Sequence, residues 1–349
     1  MRDNRIEILR VVLMFFVVVH HCCLLGPIQD NTLVKIVSTI TRFHVDAFVL
    51  ISGWFGVRLK IRKIVSLFGL GVFSVAFIGI VGGCLGYGWD FRFSLGWFGN
   101  SYIALLLLSP LINAGVNALK NEGENVLLTA WCCYAIAMLI SWFPGVGLNV
   151  SGWHGHSFNT ILFVYVTGRI MALCGNSRFL KWMYHGKIVL FLLLLFEIVN
   201  LSWAAWAINS IRFRIVLLEA RDYNAPFVIG MAICVFLLSM KLPQIGSNKY
   251  YDLVLKWGGG GASQAMFSVY ILHNGVPNNT HVKLYGRLIS YLNEGVQSQF
   301  FELISIFVTA LIIMLVCVFV DFLRRILLKM IVERFMRKIW KASVVERMN

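Results

Sequence analysis

Long apolar runs alternate with short polar connections along the whole chain. A helix that crosses a bilayer needs about 20 mostly apolar residues. On that measure the pattern predicts spans at Ile8–Leu25, Val34–Val57, Ile64–Gly86, Ser101–Leu119 and Val126–Phe143. It continues with Asn159–Leu173, Ile188–Asn209, Ala225–Met240, Ala262–Pro277 and Phe300–Phe322, the sixth and ninth being short. The start, Met-Arg-Asp-Asn-Arg, leads into the first run with no small-x-small cleavage site after it, so that run reads as an uncleaved span. No Pro/Ser-rich linker, low-complexity tract or internal repeat breaks the series. The expected fold is an all-α, polytopic membrane bundle of about ten transmembrane helices. It forms one domain over residues 1–323, followed by a basic cytoplasmic or interfacial tail at 324–349.

Composition supports lipid as the solvent. The chain of 349 residues is 59% hydrophobic and only 13% charged, against roughly 25% charged in soluble domains. A net charge of +15 raises nucleic acid as a partner. The distribution of the cations argues against it. With the N-terminus inside, 22 of the 31 Lys and Arg fall in inner segments and eight in outer ones, with Arg169 inside the sixth span. That asymmetry is the positive-inside pattern, and it puts both termini in the cytoplasm. The tail from Arg324 to Arg347 mixes cations with Leu, Ile, Val, Phe and Trp340, as an interfacial helix on an anionic leaflet does, or a plain stop-transfer flank. No Cys/His spacing suggests a metal, and the cysteines read as small buried hydrophobes.

Ionisable residues inside a membrane are costly and mark candidate sites. Arg10 and His21 stand eleven residues apart, which at about 100° per residue puts them on one helix face about 16 Å apart along the axis. Arg10 then lies at the inner surface, suited to an anion, or is simply a positive-inside flank. His21 lies past mid-membrane, suited to general base work or to packing as a hydrogen-bonded histidine. His44 and Asp46 follow in the second span, where Asp46 can pair with His21 or Arg42. Arg58, Lys60, Arg62 and Lys63 form an inner basic cluster able to hold phosphates. Glu197 sits mid-span and needs a partner from another helix, while Tyr270 and His273 share a face at the outer end of the ninth span. Outer segments add Trp97, Tyr102, Trp153, His154 and His156, rings that stack on sugars or form an interfacial belt. Gly258–Gly261 reads as a helix-initiating hinge at an inner loop.

At these residues the sequence resembles the acyltransferase-3 family of integral membrane O-acyltransferases, which modify bacterial surface polysaccharides. Arg10 and His21 match the spacing of that family's first helix. FHVDAFVLISGWF (Phe43–Phe55) is similar to its second-helix signature, with Asp46 where many members have proline and Trp54 where Tyr or Phe is usual. WFGNSYIALLLLSPLIN (Trp97–Asn113), GHSFNTILFVYVTGRI, YNAPFVIGMAICVF and GASQAMFSVYILHN resemble later landmarks, the last giving Tyr270 and His273.

The resemblance implies a multi-pass enzyme of the bacterial cytoplasmic (inner) membrane. Its donor is acyl-CoA, usually acetyl-CoA, and its acceptor a hydroxyl of a surface polysaccharide or lipid-linked glycan. The expected catalytic residues are His21, Asp46 and His273. Arg10, Arg58, Arg62 and Lys63 are expected at the CoA, and Trp97, Tyr102, Tyr270 and Glu197 at the acceptor. The competing class is a transporter or flippase for a lipid-linked sugar, which shares the spans and buried charges. The missing inverted repeat and the absence of paired broken helices speak against it.

Overall fold

The computed structural model describes residues 3–25, 31–89, 91–142, 155–175, 181, 185–209, 222–244, 262–274, 280–295 and 298–348. Trp153, His154 and Gly258–Gly261 lie outside the described residues. The regular elements among the described residues are all helices, with α1 Asn4–Leu25, α2 Thr32–Ile40, α3 His44–Phe55, α4 Ile61–Cys84, α5 Gly96–Glu122 and α6 Glu124–Trp142. The series continues with α7 Phe158–Leu173, α8 Gly186–Asn209, α9 Pro226–Lys241, α10 Ala262–Asn274, α11 Thr280–Leu292 and α12 Gln299–Met348. Among the described residues, α1, α4, α5, α6, α8 and α12 are long and apolar enough to cross a membrane, and α7 and α9 are shorter apolar helices.

The architecture follows from which faces meet protein and which meet lipid. α1, α3, α7, α9 and α10 are the most buried helices and form the centre. Around them α4, α8 and α12 leave apolar side chains bare, among them Val65, Phe68, Val72, Phe191, Leu194, Ile198, Leu315 and Phe319. Such faces suit hydrocarbon and not water. The molecule is a multi-pass membrane protein.

Three local features build the centre. α3 and α7 approach through glycines: a Cβ on Gly53 would stand 2.1 Å from the Tyr165 carbonyl oxygen, and one on Gly168 2.4 Å from that of Leu50. Small residues let helix backbones close on each other in a membrane, where packing and not hydrophobicity drives association. At the end of α3, Asn113 donates to the Val57 carbonyl (2.9 Å), the Val57 amide donates to the Tyr165 hydroxyl (3.0 Å), and that hydroxyl donates to Asn113 Oδ1 (2.8 Å). The closed ring of bonds ties α5 and α7 to the loop after α3 with each partner satisfied. Pro110 lies inside α5 and cannot bond the carbonyl four residues before it, that of Leu106. The Ser109 hydroxyl donates to that carbonyl instead, at 2.8 Å, and the helix continues.

Two elements differ from the pattern reading. The predicted second span, Val34–Val57, is broken into α2 and α3, with turn residues 41–43 between them. The break carries Arg42 into the protein, 8% exposed. Irregular backbone at membrane depth is tolerated where protein covers it. α11 is amphipathic, and the run-based reading did not find it. At the C-terminal end α12 is helical over 50 residues and passes 323 without a break.

Candidate active site

The helical stripe that Arg10 and His21 were expected to share exists. Arg10, Met14 and Val17, all on that stripe of α1, line one cavity of about 790 Å³, and His21 is the next position along it. The cavity is cationic at one end, where Lys60, Arg62, Lys63, Arg324 and Arg325 join Arg10. Its other end is walled by Val17, Val45, Phe98 and Tyr270. Val17 precedes His21 by four residues and Tyr270 precedes His273 by three, so the lining stops about one helical turn, about 5 Å, short of the two histidines.

The two histidines are bonded to each other. His21 Nδ1 lies 2.9 Å from His273 Nε2, and His273 Nδ1 lies 2.7 Å from the Val269 carbonyl oxygen. A carbonyl only accepts, so His273 Nδ1 carries the proton and donates. A neutral His273 then accepts at Nε2, which requires His21 to donate from Nδ1. The lone pair of His21 therefore sits on Nε2, the nitrogen able to take a proton from a substrate. His21 is partly exposed, while His273 is 2% exposed and fixed further by the Tyr285 hydroxyl, which donates to its carbonyl at 2.5 Å. The arrangement is that of a base whose tautomer and orientation are set by a second ring behind it.

A family model described as an acyltransferase domain matches residues 3–323. The chain belongs to the acyltransferase-3 family. No curated protein and no solved structure matches it. The chain is therefore a membrane acyltransferase, and the transporter reading loses its footing.

Beside the histidine pair, this acyltransferase carries a second polar cluster. Arg42 stacks over Tyr223 with 4.1 Å to the ring centroid, and donates to Nε2 of His20. His20 in turn donates from Nδ1 to Ser38 Oγ at 3.2 Å. Trp97 stacks on His156 at 4.6 Å and meets Tyr223 at 5.2 Å. His44 donates from Nδ1 to the Arg42 carbonyl at 2.9 Å, and its ring lies 5.2 Å from that of His20. The two loops that bring His156 and Tyr223 together touch at Gly155, φ +69°, where a Cβ would stand 2.5 Å from the Asn224 nitrogen.

The expected site residues distribute over these features unevenly. His21, His273, Arg10, Arg62, Lys63, Trp97 and Tyr270 fall at the cavity, the histidine pair or the aromatic cluster. Arg10 is also paired with Glu7. Asp46 is wholly buried on α3, and among the described residues neither carboxylate oxygen has a hydrogen-bond partner. His21 pairs with His273, and Asp46 lies in the field of Arg42. Tyr102, expected like Tyr270 at the acceptor, lines the cationic cavity together with it, and Lys63 donates to the Tyr102 hydroxyl at 3.3 Å. Arg58 is exposed and does not line that cavity. Glu197 stands on α8 three residues from Asn200, and both carry buried polar atoms that have no hydrogen bond among the described residues. Neither lines the cavity.

The sequence reading missed Arg324 and Arg325 as cavity residues because they sit in the tail, where a stop-transfer flank explains them equally well. It also did not single out Tyr223 as a site residue, although Tyr223 opens the landmark YNAPFVIGMAICVF directly before a span. Among the described residues, no group of three His, Cys, Asp or Glu side chains is placed to hold a metal ion.

Proposed function

We propose that the protein transfers an acyl group, acetyl in the first instance, from cytoplasmic acyl-CoA to a hydroxyl of a surface polysaccharide or its lipid-linked precursor. The enzyme would act in the bacterial cytoplasmic membrane. The observation that carries this reading is the single cavity that is cationic at one end and closes one turn below the His21–His273 pair at the other. An acyl-CoA has matching polarity, with phosphates at one end and a neutral thioester at the other.

In this reading Arg10, Arg62, Lys63, Arg324 and Arg325 hold the phosphates, guanidinium forks being suited to them. The pantetheine arm runs along Met14 and Val17 toward His21. His21 Nε2 takes the proton of the acceptor hydroxyl, and the oxygen attacks the thioester carbonyl. The C–S bond breaks, the ester forms, and the proton passes from His21 to the leaving CoA thiolate. His273 accepts from His21 Nδ1 throughout and stabilises the imidazolium. The Trp97–His156–Tyr223 rings and Arg42 offer a stacking and charged surface for the sugar.

The test is mass spectrometry of surface glycans from a deletion strain, the strain complemented with the wild-type chain, and one complemented with His21→Ala. The expected result is a mass difference of one acyl group between deletion and wild type, with His21→Ala matching the deletion. A folded His21→Ala protein that restores the acyl group fully would overturn the assignment.

A further inference from the structure

We infer that Tyr270 is a specificity-determining residue: its ring divides the donor cavity from the histidine pair, so that a sugar hydroxyl and not water takes the acyl group. The inference rests on the proposed function and adds how that reaction excludes hydrolysis. Tyr270 is 4% exposed and lines the closed end of the cationic cavity. The same ring meets His273 edge-on, with centroids 6.0 Å apart and planes at 75°. His273 in turn lies against His21, 4.9 Å between centroids. Phe98 of α5 packs edge-on against Tyr270 at 5.2 Å, and Phe267 lies 6.0 Å from it. Val17, Val45 and Phe98 complete that end of the cavity and offer a water no side-chain hydrogen bond. A buried water needs about two to four polar partners.

A hydroxyl acceptor must reach His21, which is partly exposed, and water can follow the same route. Water fits wherever a hydroxyl fits, so a pocket alone does not reject it. The rejection comes from the partition: the base stands on one side of the Tyr270 ring and the thioester on the other until the ring turns aside. A sugar stacked on the Trp97–His156–Tyr223 rings supplies binding energy for that displacement, and a single water does not. Beside the ring α5 presents Gly99, where a Cβ would stand 3.9 Å from Tyr270 Cε1, so no side chain pins the ring on that side. Removing the ring lets the base work on water. His21 Nε2 then takes a proton from water, and the water oxygen attacks the thioester carbonyl. The C–S bond breaks, acetic acid forms, and the proton passes from His21 to the CoA thiolate.

The test is acetyl-CoA hydrolysis by the full chain in nanodiscs with no glycan present, read as CoA release by chromatography, with monodispersity as the folding control. The wild type should release CoA slowly. A positioned general base contributes roughly 100- to 10,000-fold, so Tyr270→Ala should raise acceptor-free release by about tenfold or more. Tyr270→Phe keeps the ring and should match the wild type. Adding His21→Ala to Tyr270→Ala should remove the gain, a dependence that a packing role for Tyr270 does not produce. Phe98→Leu thins the same partition from α5 and should raise release by a smaller factor, which keeps the test decisive if Tyr270→Ala does not fold. Folded ring variants that hydrolyse no faster than the wild type would overturn the inference, as would a gain that survives His21→Ala. A wild type that restores the glycan acyl group, with no hydrolysis gained by either variant, removes the partition and leaves the proposed function standing. Hydrolysis gained through His21 in a protein that acylates no glycan keeps the partition and removes the glycan acceptor.

Discussion

Replacing His273 tests the histidine pair most directly. His273 is a positioning residue: it fixes His21 through one bond of 2.9 Å and is itself fixed by Val269. In the ground state the His21–His273 bond joins two neutral rings and contributes about 1 kcal/mol. Once His21 has taken the hydroxyl proton, the same bond has a cationic donor and contributes roughly 1.5–3 kcal/mol. Only the difference between the two states, about 0.5–2 kcal/mol, enters kcat, so His273→Ala should lower kcat about 2- to 30-fold. KM for acetyl-CoA should hardly move, because the cationic cavity is untouched. His273→Gln keeps an acceptor oxygen for His21 Nδ1–H and should recover part of the loss. The assay is transfer of radiolabelled acetyl from acetyl-CoA to glycan in nanodiscs, with monodispersity as the folding control. A well-folded His273→Ala protein within twofold of wild-type kcat would refute the role, as would a pure KM effect. A His273→Gln enzyme no better than His273→Ala would show that His273 only packs.

Other outcomes follow from the same geometry. Arg324→Gln alone, which leaves Arg325 paired with the buried Asp321, should raise KM for acetyl-CoA severalfold to about tenfold, the loss of one phosphate bond, with kcat near wild type, as read in steady-state kinetics. Gly168→Val should abolish a folded product, because even a Cβ at that position stands 2.4 Å from the Leu50 carbonyl oxygen; size-exclusion chromatography after extraction reads this out. Ser109→Ala orphans the buried Leu106 carbonyl at the Pro110 step and should cost about 1–3 kcal/mol, visible as a lower Tm. Arg5 hydrogen-bonds Asp3 and holds its carboxyl below the usual carboxylate range. That contribution is full above the unfolded carboxyl's pKa and is lost as pH falls through the depressed folded value. Acid should therefore loosen the tie from Arg5 to the Met240 carbonyl, and Asp3→Asn should flatten this part of the Tm-against-pH curve.

The apolar runs determined the helical membrane class by themselves, since a bilayer admits few other solutions for such a chain. Their spacing also put Arg10 and His21 on one face, because helix periodicity is a local property. The family landmarks pointed to His273. Sequence did not decide what His21 touches. A ring on α1 meets a ring on α10 only after α1, α10 and α12 have packed, and hydropathy carries no information on which spans are neighbours. The same holds for Tyr102, which the linear order put with the acceptor and the packing put beside Lys63. The broken second span escaped notice because the cost of burying Arg42 is offset by Tyr223 and His20, partners 181 residues ahead and 22 behind in the chain. Arg324 and Arg325 joined the cationic cavity for a similar reason: α12 returns to α1, and only tertiary structure brings its basic turn to the mouth where Arg10 stands.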